Sequence, residues 1–192
     1  MCVGVLLLYL GACYSDSEVP GNSVPSEVGS VTFSRQSPDD LLKFYTMAHE
    51  LRDIEMYKQA LHRDYRYWIV PDTESDLEGL LEIPWITRAK DLQATDSMFS
   101  DPIVKTIHMR FFPITDWKAC TVTLGADSAR AGEVHGFEIT VDPLIQLELP
   151  TYGGATYLKE ITRTKMRIIV VPDPEVPDSW VIFGIQEEWE TD

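Results

Sequence analysis

Cysteine, histidine and basic charge are scarce in this sequence, and each shortage closes off a class of function. Three cysteines in 192 residues are too few for a disulfide scaffold or a multi-cysteine zinc site. Sixteen Lys and Arg stand against 31 Asp and Glu, a net charge of −15. That balance excludes nucleic acid and anionic lipid headgroups as partners, because each needs a basic face to release its counterions. Gly-rich phosphate loops, Gly-x-Ser-x-Gly elbows and dinucleotide fingerprints are also missing, so no cofactor is expected. What is present is ordinary for a folded chain: 44% hydrophobic and 24% charged residues. A length of about 1.3 domains, at roughly 150 residues each, implies one domain with appendages.

The appendage is at the start. Residues 1–12 carry no charge, and Val3 to Leu10 form an apolar run far shorter than the roughly 20 residues of a membrane span. The run ends in Leu10-Gly11-Ala12-Cys13, which resembles the lipobox of bacterial lipoproteins. The resemblance implies cleavage before Cys13, where small side chains admit the protease, and lipidation of its thiol. The absence of Lys or Arg after Met1 departs from that pattern. Residues 14–30 contain five Ser, two Pro and two Gly, too little apolar surface to offset the entropy of ordering them. The expected organisation is a signal peptide at 1–12, a lipidated cysteine and tether at 13–31, and a domain at 32–192. Such a protein would sit in the bacterial cell envelope, facing the periplasm or the exterior. Cys120, within Ala119-Cys120-Thr121-Val122, reads as a small core residue.

Ser37-Pro38-Asp39-Asp40 is a helix start, with a capping hydroxyl, proline at the first turn and carboxylates at the positive end of the dipole. Leu41, Tyr45 and Ala48 follow along one face. Asp53 can cap a second short helix carrying Ile54, Tyr57 and Leu61. A strand is expected over Tyr65 to Val70, and a third helix from Pro84, with Trp85, Ala89, Leu92 and Phe99 inward. After residue 102 the period changes to two. Ile107, Met109 and Phe111 alternate with polar residues, as do Cys120, Val122 and Leu124, then Phe137, Ile139 and Val141, then Ile145, Leu147 and Leu149. Ile168 to Val171 and Trp180 to Ile185 are apolar runs. The fold class is α+β: three N-terminal helices packed on a curved, mostly antiparallel sheet, a cone-like single domain.

This layout resembles the nuclear transport factor 2-like superfamily, which includes ketosteroid isomerases, scytalone dehydratase and polyketide cyclases. The likeness rests on Ser37-Pro38-Asp39-Asp40-Leu41-Leu42, on Leu51 to Tyr57, on Leu61 to Tyr65, and on the closing strand Trp180 to Ile185. It implies a pocket between helices and concave sheet, with Tyr45, Trp85, Ile107, Met109, Phe137 and Ile139 as lining candidates. In the isomerase branch a tyrosine lies eight residues before the Asp that opens the second helix, as Tyr45 lies before Asp53. That tyrosine donates to an oxyanion. The general base belongs at the end of the first strand, where this sequence has Ile69 or Val70, with Asp72 two or three positions away. A donor without a base moves no proton, so no catalytic residue is assigned.

The remaining polar candidates have plainer readings. His49-Glu50 lacks the second histidine of a zinc-protease helix, and His108 alternates outward. His49 and His135 are the histidines that would border a pocket in a cyclase-like His–Asp arrangement. Asp72, Glu74, Asp76 and Glu78 are spaced like a calcium loop, but Leu77 takes the glycine position and Ile83 the closing carboxylate, leaving a solvated acidic loop and no metal site. The expected function is a lipid-anchored, non-catalytic cone that binds a small apolar ligand or an envelope protein. The alternatives are a small lyase or isomerase using the same pocket, and an assembly module, with the sheet as the face for a homodimer.

Overall fold

The chain divides into two units, Met1–Thr32 and Phe33–Asp192. The computed structural model describes residues 34–68, 85–124, 132–151, 154–162 and 165–187, all within the second unit. Cys13, Ile69, Val70, Asp72, Glu74, Asp76, Glu78, Pro84 and Trp189 lie outside the described residues.

Helix α1 (Pro38–Leu51) starts as its sequence dictates. The Ser37 hydroxyl accepts the Asp40 N–H, Pro38 occupies the first turn, and Asp39 and Asp40 face the positive dipole end. Leu41, Leu42, Phe44, Tyr45, Ala48 and His49 form its buried face. The helix ends at Arg52 in the left-handed region (φ 56°), and the chain turns into α2 (Ile54–Ala60), capped by Asp53. Strand β1 (Leu61–Trp68) begins four residues earlier than the aromatic run predicts. Leu61 already pairs with the final strand, and a register shift between Leu61 and Arg66 breaks the alternation that would have revealed it.

Trp85 is the clearest departure from expectation. It belongs to a short strand, β2 (Trp85–Thr87), and α3 (Arg88–Ser100) starts only after it, capped by Thr87. The aromatic and β-branched Trp-Ile-Thr triplet suits an edge pairing with β1, where Trp68 faces Trp85. Within α3, Phe99 is buried and Leu92 half-buried as expected, whereas Ala89 is exposed.

Six further strands follow: β3 (Thr106–Pro113), β4 (Lys118–Leu124), β5 (Gly132–Pro150), β6 (Thr156–Thr162), β7 (Met166–Pro172) and β8 (Trp180–Glu187). The sheet runs β2-β1-β8-β7-β5-β3, and β4 and β6 also pair with β5. Among the described residues only β1 and β8 pair in parallel; the other pairs are antiparallel. The two apolar series at 137–141 and 145–149 are one strand, β5, of 19 residues. Their common odd numbering carries straight through the buried Pro143. Helix α1 lies across β3 and α3 across β1. The main core therefore sits between helices and sheet, from Leu41, Tyr57 and Tyr65 to Ile107, Ile139, Ile168 and Ile182. A second apolar cluster joins Val122 and Leu124 of β4 to Val171, Val181 and Phe183, which take the alternate register on β7 and β8.

Two arginines fasten the helices. Arg35, before α1, donates to the Gln59 and Trp180 carbonyls and to Asp173, with its guanidinium 5.5 Å from the centre of the Phe44 ring. Arg52 donates to the carbonyls of Phe99, Asp101 and Val104, tying the end of α1 to the last turn of α3 and the segment after it.

A tyrosine and carboxylate cluster as the candidate functional site

The inner ends of α1, α2, α3 and β1 converge on one polar group inside the main core. Tyr45 comes from α1, Tyr57 from α2, Tyr65 from β1 and Asp91 from α3. The Tyr57 hydroxyl donates to Asp91 Oδ2 at 2.6 Å, and the Tyr45 and Tyr57 oxygens lie 3.4 Å apart. Because the Tyr57 proton is directed at the carboxylate, Tyr45 is the donor in the second contact. The Tyr65 hydroxyl is buried with no hydrogen-bond partner. The Tyr57 oxygen, whose own proton goes to Asp91, is the acceptor beside it and opposes the larger upward push of burial on the Tyr65 pKa.

His49 completes the group from one turn along α1. Its Nδ1 lies 2.9 Å from the Tyr45 carbonyl oxygen and donates to it, which leaves Nε2 as the unprotonated nitrogen. The imidazole packs edge-on against Tyr57 and Phe99, with ring centres 5.0 and 5.5 Å away. Burial pushes its pKa down to about 4, so it is neutral at physiological pH.

Electrostatics sorts these groups by role. Burial raises the pKa of all three phenols above the ordinary 10, so they keep their protons and act as donors. Asp91 is pushed from 3.8 up to about 6, chiefly by burial, with the Tyr57 hydrogen bond opposing the shift. It is the one member of the cluster whose charge changes near neutral pH. A proton-transfer capacity here would therefore belong to Asp91, with Tyr57 holding it in place.

The six lining candidates have different fates. Tyr45, Ile107, Met109 and Ile139 are packed together in the main core, each at most 6% exposed, and Phe137 packs beside them against Trp180. Trp85 is 36% exposed, outside that core, with the Arg66 guanidinium 4.3 Å over its ring. It does not close the cone; an edge strand holds it at the rim. His135 is exposed and meets the Thr121 hydroxyl at 3.3 Å. Among the described residues, the histidine within reach of a carboxylate is His62, 3.9 Å from Asp64. Its Nδ1 accepts the Asp64 N–H, so it has no proton there to give the carboxylate.

Sequence reasoning found Tyr45 and missed Tyr57, Tyr65 and Asp91 as its companions. A signal for Asp91 existed. It lies four residues before Thr95 and eight before Phe99, the two buried residues of α3, so a carboxylate sits on the helix face that points inward.

No protein-family model and no curated protein matches the sequence. Solved structures do. A scytalone dehydratase-like protein of Novosphingobium aromaticivorans matches with 8% identity and a TM-score of 0.49, covering 77% of this chain and 78% of that one. A nuclear transport factor 2-like superfamily protein of Salmonella enterica matches with 9% identity and a TM-score of 0.45, covering 80% and 89%. The association domain of C. elegans CaMKII matches with 11% identity and a TM-score of 0.41, covering 79% and 88%. The fold follows from the elements themselves, three helices laid into a long-stranded, curved, mostly antiparallel sheet. The matched structures are ones that the chain is similar to in its arrangement. The fold alone does not assign an activity.

Proposed function

We propose that this is a lipid-anchored cell-envelope protein whose nuclear transport factor 2-like domain binds a partner protein at its surface and performs no chemistry inside its cone. The filled interior carries this reading: Tyr45, Tyr57, Tyr65 and Phe99 occupy the space between helices and sheet with their own rings, each at most 5% exposed. A small apolar ligand in the cone would have to displace them, which makes a protein partner the better fit. Phe112, Tyr157 and Leu158 on β3 and β6 are about half exposed, and such side chains gain most from burial against a partner. The anchor rests on Leu10-Gly11-Ala12-Cys13 and the polar stretch behind it.

The test has two arms. Cys13→Ser should move the protein from the membrane fraction to the soluble one and abolish labelling by a fatty-acid probe. Equal labelling of both forms removes the anchor. Turnover on a panel of enolisable ketones and hydratable aromatics should stay at background.

A second reading, a small lyase or isomerase of the dehydratase or cyclase type, draws on Asp91. A carboxyl raised to about 6 beside an ordered phenol has the pKa of an acid–base group working near neutrality. This reading requires turnover that Asp91→Asn lowers by roughly 10²–10⁴. Turnover of that kind would replace the first reading.

A further inference from the structure

Strand β6 (Thr156–Thr162) is an open edge. It pairs with β5 on one side, Tyr157 against Leu149 and Glu160 against Gln146, and no other described strand pairs with it. Successive residues of a strand point to opposite faces. Tyr157 is nevertheless 47% exposed and its neighbour Leu158 53%, so at these positions neither face of β6 is covered. An edge of this kind is a template for a further strand. The edge made by β3 and β4 is interrupted by the exposed Pro113, which has no N–H to offer.

The turn before β6 fixes which of its backbone groups face outward. The Thr151 N–H donates to the Ala155 carbonyl at 2.7 Å, and this pair continues the β5–β6 register. Bonded pairs of an antiparallel ladder recur every second residue. Tyr157 and Lys159 therefore direct their backbone groups at β5, and Thr156, Leu158 and Glu160 turn theirs away from it.

A second copy of β6, related by a two-fold axis through Leu158, meets every one of these outward groups. Leu158 pairs with the partner's Leu158, and Thr156 with the partner's Glu160 in both directions. The side chains match in the same register. Leu158 packs on the partner's Leu158, and Tyr157 stands opposite the partner's Lys159, an aromatic ring against an ammonium. Charge rejects the neighbouring registers. An axis through Lys159 sets two ammoniums against each other, and one through Glu160 sets two carboxylates. An axis through Tyr157 places Glu160 opposite Gly154, whose N–H already goes to the Thr151 carbonyl. We propose that β6 is a self-complementary edge through which two copies of this chain join their sheets, antiparallel about Leu158. The proposal rests on the surface-binding reading and names the partner that Tyr157 and Leu158 meet.

Sedimentation equilibrium of the full chain, produced without lipid, tests the pairing at 0.15 M salt. That salt screens the repulsion between chains of net charge −15 beyond about 8 Å. A single strand pair lies at the small end of interfaces, below roughly 1,200 Å², so the dimer is expected to be weak. The mean mass should rise from 21.8 kDa toward twice that value between about 10 μM and 1 mM. Leu158→Lys should weaken association at least tenfold and leave Tm unchanged, because the side chain is half exposed in the single chain. The register is read by cross-linking in a full chain whose own three cysteines are replaced by Ser. Leu158→Cys should give a disulfide-linked dimer, since opposed residues of a bonded pair lie about 5.5 Å apart, within disulfide reach. Glu160→Cys should not, because its two copies are offset by four residues, roughly 13 Å along the strands. A wild type that stays monomeric to 1 mM, a Leu158→Lys variant that associates like the wild type, or equal cross-linking at 158 and 160 overturns the proposal. A monomeric wild type leaves the surface-binding reading standing with a different protein as partner. Turnover on the ketone and aromatic panel overturns that reading and leaves the measured mass untouched, so the two fail separately.

Discussion

Replacing Asp91 by Asn turns the electrostatics of the cluster into a measurable slope. In the folded protein the Asp91 carboxyl titrates at about 6 rather than 3.8, mainly because burial disfavours its charge. Between those values the native state holds a proton that the unfolded chain has released. Stability therefore falls as pH rises through this window, opposite to the usual behaviour of a salt-bridged carboxylate. A difference of about 2 units at 1.36 kcal/mol each sets a ceiling near 3 kcal/mol. Because Asp91 is only half-buried, the share expected after solvent screening is about 1–2 kcal/mol. Asn has the same shape, cannot ionise, and its carbonyl can still accept the Tyr57 proton. Urea unfolding of both proteins at pH 4, 5, 6 and 7, with the difference taken at each pH, cancels the titration of the other carboxylates. The wild type should lose about 1–2 kcal/mol relative to Asp91→Asn from pH 4 to pH 7, with most of the change between 4 and 6. A flat difference, or one that grows in favour of the wild type, would refute a buried, unpaired Asp91.

Two predictions concern the scaffold. Arg52→Ala should cost about 1–3 kcal/mol by urea unfolding, because three carbonyls in the last turn of α3 and just after it lose one guanidinium. Arg52→Lys should recover only part of this, since an ammonium cannot span the same fork. Gly136→Ala should destabilise by about 3 kcal/mol or more: its Cβ would stand 2.2 Å from the Val170 carbonyl oxygen, a backbone atom that cannot swing aside. Gly184→Ala, whose Cβ would meet the Trp68 side chain at 2.3 Å, should cost less, because a ring can shift. Thermal unfolding separates the two, at roughly 2–4 °C per kcal/mol for a domain of this size.

Local chemistry wrote α1 and α2 into the sequence. Ser37, Pro38 and Asp53 are capping signals that act within three or four residues, so reading them required no knowledge of the rest of the chain. The alternation at 107–111, 120–124 and 137–149 was equally local, since a strand that buries one face must repeat every second residue. Periodicity does not say which face is which. Met109 and Val122 both lie on buried stripes, but one belongs to the main core and the other to the second cluster. Only the pairing of β3 and β4 along β5 separates them.

The start of β1 and the placement of Trp85 were decided by partners remote in sequence. Leu61 is a strand residue because Ile182 pairs with it, and Trp85 leaves the helix because Trp68 offers it an edge. The candidate site belongs to the same class. Tyr45, Tyr57, Tyr65 and Asp91 come from three helices and a strand, each with an unremarkable local context. Tyr45 was legible because a family resemblance singled out its spacing to Asp53. The Tyr57–Asp91 bond spans 34 residues, and the shifted pKa of Asp91 is a property of the burial that the assembled core imposes. The capped helices and the alternating strands are determined within a few residues of chain. The polar cluster exists only once four elements have met, because burial and hydrogen-bond geometry are relations between them.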